Sequence, residues 1–186
     1  MTKKDLRKEL ISRRKSMEKS YRVICDQAIY NKLIACPEIA AANTVLVYVS
    51  TEIEVDTIRF IKEMLHLGKT VAVPKCEGKN MRFIKIDSLD SLKKGAFGIY
   101  EPENGEEITN FSDAVCITPA LSFNEKGYRL GYGGGFYDRF AEKFDGISVG
   151  ICYESFIGAI PLEEFDRPID ILVTDEKIRY IHRNEV

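Results

Sequence analysis

Tryptophan is absent from the sequence, and histidine occurs only twice, as His66 and His182. Two histidines without a partner pattern support no His-rich metal site, and neither is given a role. The five cysteines (Cys25, Cys36, Cys76, Cys116 and Cys152) are odd in number, and no two are spaced C-x-x-C. That argues against a disulfide framework and against a zinc knuckle, and free thiols point to a reducing compartment. No stretch approaches the roughly 20 apolar residues of a membrane helix. The first residues, Met1 to Leu6, run straight into charge, without the apolar core of a signal peptide. The expectation is a cytoplasmic protein. A large net charge is also missing: at −2, with a pI near 5.8, the chain has no general attraction for nucleic acid or for an anionic membrane. An anionic ligand would have to be held by a local cluster of Lys, Arg and backbone N–H groups.

What is present suits one globular domain over residues 1–186, since 45% hydrophobic and 30% charged residues match an ordinary soluble fold. Residues 3–36 read as two helices, with Leu6, Leu10 and Ile11, then Ile29, Leu33 and Ile34, at helical spacing. The first is strongly basic (Lys3, Lys4, Arg7, Lys8, Arg13, Arg14, Lys15), and Pro37 ends the second. The pattern then changes. Residues 44–49 (TVLVYV) form a β-branched run of strand length. Residues 55–67 read as an amphipathic helix stopped by Gly68, with Ile58, Ile61, Met64 and Leu65 on one face. Further strands are expected at 70–73, 81–86, 113–118, 146–152, 170–174 and 178–181, with a turn-rich surface excursion at 98–110. Strands alternating with helices predict an α/β three-layer domain with a mainly parallel sheet behind two N-terminal helices.

One segment stands apart. After the strand ending at Thr118 comes a long loop, then Gly131, Gly133, Gly134 and Gly135, then a helix whose apolar stripe is Tyr137, Phe140, Ala141 and Phe144. Glycines let a backbone approach a ligand and turn successive N–H groups toward it. The following helix offers unpaired donors and the positive end of its dipole. Arg129 adds a charge, and Asp138 in the first helical turn suits a magnesium ion riding on phosphate. On residue types alone the segment is equally readable as a tight turn, with Asp138 merely complementing the dipole. It is no Walker A loop, because no Lys-Ser/Thr follows, and no dinucleotide fingerprint, because the third glycine position is Phe136.

The run from Arg129 to Arg139, RLGYGGGFYDR, resembles the R-L-G-x-G-x-G-Y-Y-D motif of the 5-formyltetrahydrofolate cyclo-ligases, also called methenyltetrahydrofolate synthetases. Pro119 to Asn124 and Gly127 match the usual lead-in. Lys3-Lys4-Asp5-Leu6-Arg7 resembles that family's basic N-terminal helix, Ser50-Thr51-Glu52-Ile53-Glu54 its acidic motif at a strand end, and Asp166 to Thr174 its C-terminal strand. Phe136 departs from the family's usual Tyr.

The resemblance implies a Rossmann-like fold and the closure of 5-formyltetrahydrofolate to 5,10-methenyltetrahydrofolate, with ATP going to ADP and phosphate. It implies ATP and Mg²⁺ as cofactors and a folate as the small-molecule substrate, with no nucleic acid, no membrane and no required oligomer. Lys3, Lys4, Arg7, Arg129, Gly131, Gly133, Gly134, Gly135, Phe136 and Tyr137 would hold the nucleotide, with Arg129 and Tyr137 catalytic. Asp138 and Asp170 would hold the metal. Val49, Glu52, Tyr132 and Phe136 would meet the folate, with Glu54 on the same side as Glu52. Taken without the resemblance, Lys3 and Arg7 read as a solvated basic face, Glu52 and Asp170 as surface carboxylates, and Tyr137 as core. The competing readings are a phosphosugar isomerase or acyltransferase on a related fold, and a noncatalytic nucleotide or pterin sensor. Both leave the pair of carboxylates and the basic helix without a purpose.

Overall fold

A computed structural model of the chain describes residues 2–95 and 98–181; His182 lies outside them. Helix α1 (Lys3–Ser16) starts on a capping box in which Thr2 and Asp5 satisfy each other's backbone N–H, and it ends on Arg13, Arg14 and Lys15, which complement its dipole. Helix α2 (Lys19–Ala35) gives way to α3 (Pro37–Ala41), where Pro37 takes the first turn, the one place its missing N–H costs nothing. Strand β1 (Thr44–Val47) and helix α4 (Ile58–His66) follow. The expected start of α4 at residue 55 moves to 58 because Thr57 serves the loop before it. Its hydroxyl donates to the Tyr48 carbonyl at 2.6 Å and accepts from the Ser50 N–H at 3.1 Å.

Strands β2 (Thr70–Glu77) and β3 (Asn80–Ile86) form an antiparallel hairpin. Strand β2 outruns its expected end at Val73 because Pro74 falls beyond the last β1 partner, Ala72, where only β3 needs it. The excursion at 98–110 contains strand β5 (Tyr100–Pro102), which pairs with the unforeseen β4 (Leu92–Lys94). Strand β6 (Ala114–Thr118) leads into a second small ribbon, β7 (Ser122–Phe123) and β8 (Arg129–Leu130). The long loop expected there is therefore a folded hairpin. Helix α5 (Phe136–Ala141), then β9 (Ile147–Ile151), β10 (Ile171–Val173) and β11 (Ile178–Tyr180), complete the order.

Among the described residues seven strands make the main sheet, in the order β11-β10-β9-β6-β1-β2-β3. The five from β10 to β2 are parallel, and each edge strand is antiparallel to its neighbour. Period-two alternation sends the strand side chains to two cores. Val45, Val47, Val71, Val73, Val115, Ile117, Val149 and Ile151 face the side covered by α1–α4, where Leu10, Ile29, Leu33, Phe60 and Ile61 are buried. Leu46, Ala72, Ala114 and Cys116 face the other side, against Phe111, Phe140 and Phe144. The molecule is thus three-layered, as expected, with α5 alone on the second face. After β1 the chain moves outward to β2 and β3; after β6 it moves the opposite way, to β9 and β10. The order reverses between β1 and β6. That is the topological switch point, where α/β sheets bind ligands beyond their strands' carboxyl ends.

The far edge is fastened by Glu154, in the turn after β9. Its carboxylate accepts from Arg179 of β11 and from the Thr174 hydroxyl at 2.6 Å. Arg179, opposed by burial and aided by Thr174, holds the Glu154 carboxyl at about 2, against an ordinary 4.5. A carboxyl depressed in the folded state stabilises the protein above its unfolded pKa, and that contribution is lost as pH falls through the folded one. We expect Glu154→Gln to cost about 1–3 kcal/mol at pH 7. We also expect it to flatten the fall in stability between pH 4.5 and 2, followed by urea unfolding across that window.

Candidate functional site

Two loops leave the adjacent strands at the switch point. From β1 the chain runs through Val49, buried at the strand's end, to Glu52 and Glu54. From β6 it runs through the β7–β8 ribbon to the glycines. That ribbon positions Arg129. The Asn124 side chain closes its turn by accepting from the Lys126 and Tyr128 N–H groups, both at 3.0 Å. Gly133 (φ +102°) and Gly135 (φ +66°) hold backbone conformations that L side chains rarely adopt. A Cβ on Gly131, by contrast, would meet nothing within 4 Å, so the first turn of the loop faces open space.

Guanidinium groups ring this loop. Arg7 Nε, from α1, donates to the Gly131 carbonyl at 2.9 Å. Arg129, almost enclosed, pairs with Asp138 and donates to the Arg167 carbonyl. Arg139 donates to the Gly134 carbonyl at 2.8 Å and to Lys79 in the β2–β3 turn at 2.9 Å, bracing the loop against the hairpin. Sequence reasoning did not single out Arg139; its place one turn beyond the glycines was the available signal. Helix α5 spans only six residues, so its dipole is small, and the arginines supply most of the positive charge.

Lys3 reaches the same region from α1 but is taken up by Glu163 at 2.8 Å and Asp166 at 3.0 Å. Burial pulls its ammonium down, yet its hydrogen bonds to those two carboxylates, and their charge, outweigh it and hold it above an ordinary lysine. Lys4 is exposed on the outer side of α1. Phe136 packs against the second core, and Arg139 covers its ring at 5.1 Å from the centroid. The ring of Tyr132 is half exposed, while its hydroxyl end sits beside Glu54; burial first, and that carboxylate second, keep the phenol protonated. Glu52 is exposed at the rim.

Behind the loop, between α5 and strands β6 and β9, lies a pocket of about 260 Å³, with Thr118, Arg129, Tyr137, Ser148 and Arg167 among its walls. The Tyr137 hydroxyl is buried and has no hydrogen-bond partner among the described residues, and burial above all keeps it protonated. It is a neutral phenol, able to donate a hydrogen bond. Asp138 and Asp170 do not line this pocket, but each is held by a residue that does. The first pairs with Arg129; the second accepts from the Ser148 N–H at 2.8 Å and hydroxyl at 2.7 Å. Among the described residues no three His, Cys, Asp or Glu side chains cluster as a metal cage. A hard cation held by one or two carboxylates and completed by phosphate oxygens fits this donor set; a dedicated protein cage does not. Thiolate chemistry is disfavoured: burial pushes Cys116 up to about 12 and Cys152 to about 11.

The fold and the site define an α/β protein with an arginine-ringed glycine loop and an acidic loop meeting at its switch point. A family model described as the 5-formyltetrahydrofolate cyclo-ligase family matches residues 1–175. The chain belongs to this family and is an enzyme of it. It is 29% identical over 175 residues to the 5-formyltetrahydrofolate cyclo-ligase of Escherichia coli K12, covering 89% of this chain and 96% of that one. It is 31% identical over 172 residues to the probable 5-formyltetrahydrofolate cyclo-ligase of Schizosaccharomyces pombe, covering 81% and 84%. Among solved structures, the 5,10-methenyltetrahydrofolate synthetase of Aquifex aeolicus superposes with a TM-score of 0.88 at 31% identity, covering 100% of this chain and 96% of that one. A synthetase from Mycoplasma pneumoniae, at 23% identity and TM-score 0.78 over 94% and 99%, shares the fold.

The two kinds of glycine predict different outcomes. Gly133→Ala forces an L side chain to φ +102° and should cost about 1–2 kcal/mol. Gly131→Ala, with open space before it, should stay within about 0.5 kcal/mol. Chemical denaturation of both variants checks the contrast.

Proposed function

We propose that the protein is an ATP-dependent 5-formyltetrahydrofolate cyclo-ligase, one domain across the chain, working in the reducing cytosol that its five free cysteines suit. The observation that carries the reading is the meeting of the arginine-ringed glycine loop with the Glu52–Glu54 loop at one switch point. No helix among the described residues is long and apolar enough to cross a membrane. The chemistry needs both loops. ATP activates the substrate: the formamide oxygen takes up the γ-phosphoryl group as ADP departs, and the neighbouring folate nitrogen then closes on that carbon, losing its proton and expelling phosphate.

The residues of this chain act by positioning and by charge. Backbone N–H groups of Gly131, Gly133, Gly134 and Gly135 would cradle the phosphates. Arg7 and Arg129 would neutralise them, with Lys3 once it exchanges its carboxylates for phosphate oxygens, and Lys4 at the rim. Tyr137 would donate its unpartnered hydroxyl, and Asp138 and Asp170 would hold Mg²⁺, which shields charge on the transferring group. Glu52, with Glu54 beside Tyr132, would accept from the donors of an aminopyrimidinone ring. Val49, Tyr132 and Phe136 would furnish apolar and aromatic surface to it. Because Arg129 pairs with Asp138 and Lys3 with Glu163 and Asp166, binding Mg·ATP amounts to an exchange of partners. Arg129 would turn to phosphate as Asp138 turned to metal.

Mixing the protein with 5-formyltetrahydrofolate and Mg·ATP should yield methenyl product and phosphate one to one; ATP hydrolysis independent of folate would refute the proposal. Asp138→Asn should lower turnover by about 2.7–4 kcal/mol in barrier, and a rate within twofold of the parent at saturating magnesium would remove Asp138 from the metal. Glu52→Gln should weaken folate binding by roughly 1.5–3 kcal/mol and spare ATP. Calorimetry with each ligand in turn tells the two apart.

A further inference from the structure

Arg14 stands in the last turn of α1 and is completely buried. Among the described residues no carboxylate is a hydrogen-bond partner of it. Its guanidinium donates to the backbone carbonyls of Ile53 (3.1 Å), Ala120 (3.0 Å) and Leu121 (3.0 Å) and to Cys152 Sγ (3.4 Å). It lies 5.0 Å from the Tyr153 ring centroid and 4.6 Å from that of Phe156. Its Nε has no partner among the described residues. An apolar side chain would fill such a space more cheaply than a charge, so packing alone does not account for an arginine there.

Its acceptors do. Ile53 lies in the loop beyond β1, Ala120 and Leu121 lie just after β6, and Cys152 lies just after β9. These are the strand ends on which the site is built. A planar fork with five N–H donors on three nitrogens reaches carbonyls on separate loops from spaced, fixed points; a lysine ammonium donates from a single nitrogen and loses that span. The neighbouring residue of the acidic loop is treated alike, because Arg22 of α2 donates to the Glu52 carbonyl and to the Arg14 carbonyl. Asp26 adds a third tie, accepting from the Asp56 N–H at 3.3 Å and the Tyr153 hydroxyl at 2.7 Å.

We propose that Arg14 is a positioning residue for substrate recognition: it fixes the backbone of residues 52–54 against that of residues 120–121, and so sets where the Glu52 and Glu54 carboxylates stand relative to the glycine loop. It touches no reacting atom. The inference rests on the proposed folate role of the acidic loop. It adds that specificity for the folate, and not affinity for the nucleotide, depends on a side chain outside the pocket.

The test uses calorimetry with 5-formyltetrahydrofolate and, separately, Mg·ATP, on the full chain well below its melting temperature. The variants are Arg14→Lys, Glu52→Gln and the double variant. Arg14→Lys should weaken folate binding tenfold or more and keep ATP binding within twofold. In the Glu52→Gln background it should cost less than threefold further, since it acts through the loop. A lower melting temperature with unchanged folate affinity, or equal losses for both ligands, would overturn the proposal. If Glu52→Gln binds folate normally while Arg14→Lys does not, the role of Glu52 falls and that of Arg14 stands. The reverse pattern removes Arg14. Should Arg14→Lys fail to fold, the half-buried Arg22→Met must show the same selective loss of folate; without it the proposal fails.

Discussion

The pairing of β1 with β6, in register from Thr44 with Ala114 to Val47 with Ile117, is the constraint on which the rest depends. Both strands are short and fully paired, and they run parallel at the centre of the sheet. Their carboxyl ends therefore emerge side by side, and each releases a loop toward the same side of the molecule. The loop from β1 carries acids, and the loop from β6 carries glycines and arginines. Sliding one strand by two residues would keep every apolar contact on its proper face and still pull these loops apart by about 6–7 Å. The apolar pattern alone therefore does not fix that spacing; it is set by the observed register of Thr44 with Ala114 through Val47 with Ile117.

A second constraint is positive charge balanced by the protein's own groups. The cations nearest the glycine loop are occupied by the protein's own groups: Arg129 by Asp138, Lys3 by Glu163 and Asp166, and Arg7 by the Gly131 carbonyl. An uncompensated cluster of this kind would repel itself and lower the stability of the folded chain. Internal pairing removes that cost and leaves the cations oriented. A phosphate bound there, as the proposed function requires, would compete with carboxylates at Arg129 and Lys3, so the net gain from each of those contacts would be a difference between two ion pairs.

Much of this was legible in the sequence, for identifiable reasons. The runs TVLVYV and DAVCIT are β-branched and apolar because their strands are buried on both faces. The glycine motif was legible because its backbone conformations leave a compositional mark. The ribbons β4–β5 and β7–β8 were not. Strands of two or three residues are too short for a period, and Pro102 and Asn124 signal turns. Arg14 was visible only as one of seven basic residues on the first helix. Its place four residues beyond Leu10, on the apolar stripe of the helix, was the available signal, but its acceptors come from the β1, β6 and β9 loops and could not be read locally. Asp170 could be placed at a strand start, but its attachment to Ser148 depends on the β9–β10 register.

That same arginine bears on how the chain is made. Its hydrogen-bond acceptors are separated from it by 39, 106, 107 and 138 positions. On a ribosome adding about 5–20 residues each second, helix α1 leaves the exit tunnel roughly 7–30 seconds before Cys152 follows. Early in that interval only the Ile53 carbonyl is available to Arg14; the Ala120, Leu121 and Cys152 acceptors are still to come. The full set of acceptors exists only when the ends of β1, β6 and β9 are together. A segment made well before its acceptors is thus fully tied down only with them, and the backbone ties proposed to order the acidic loop are completed only then.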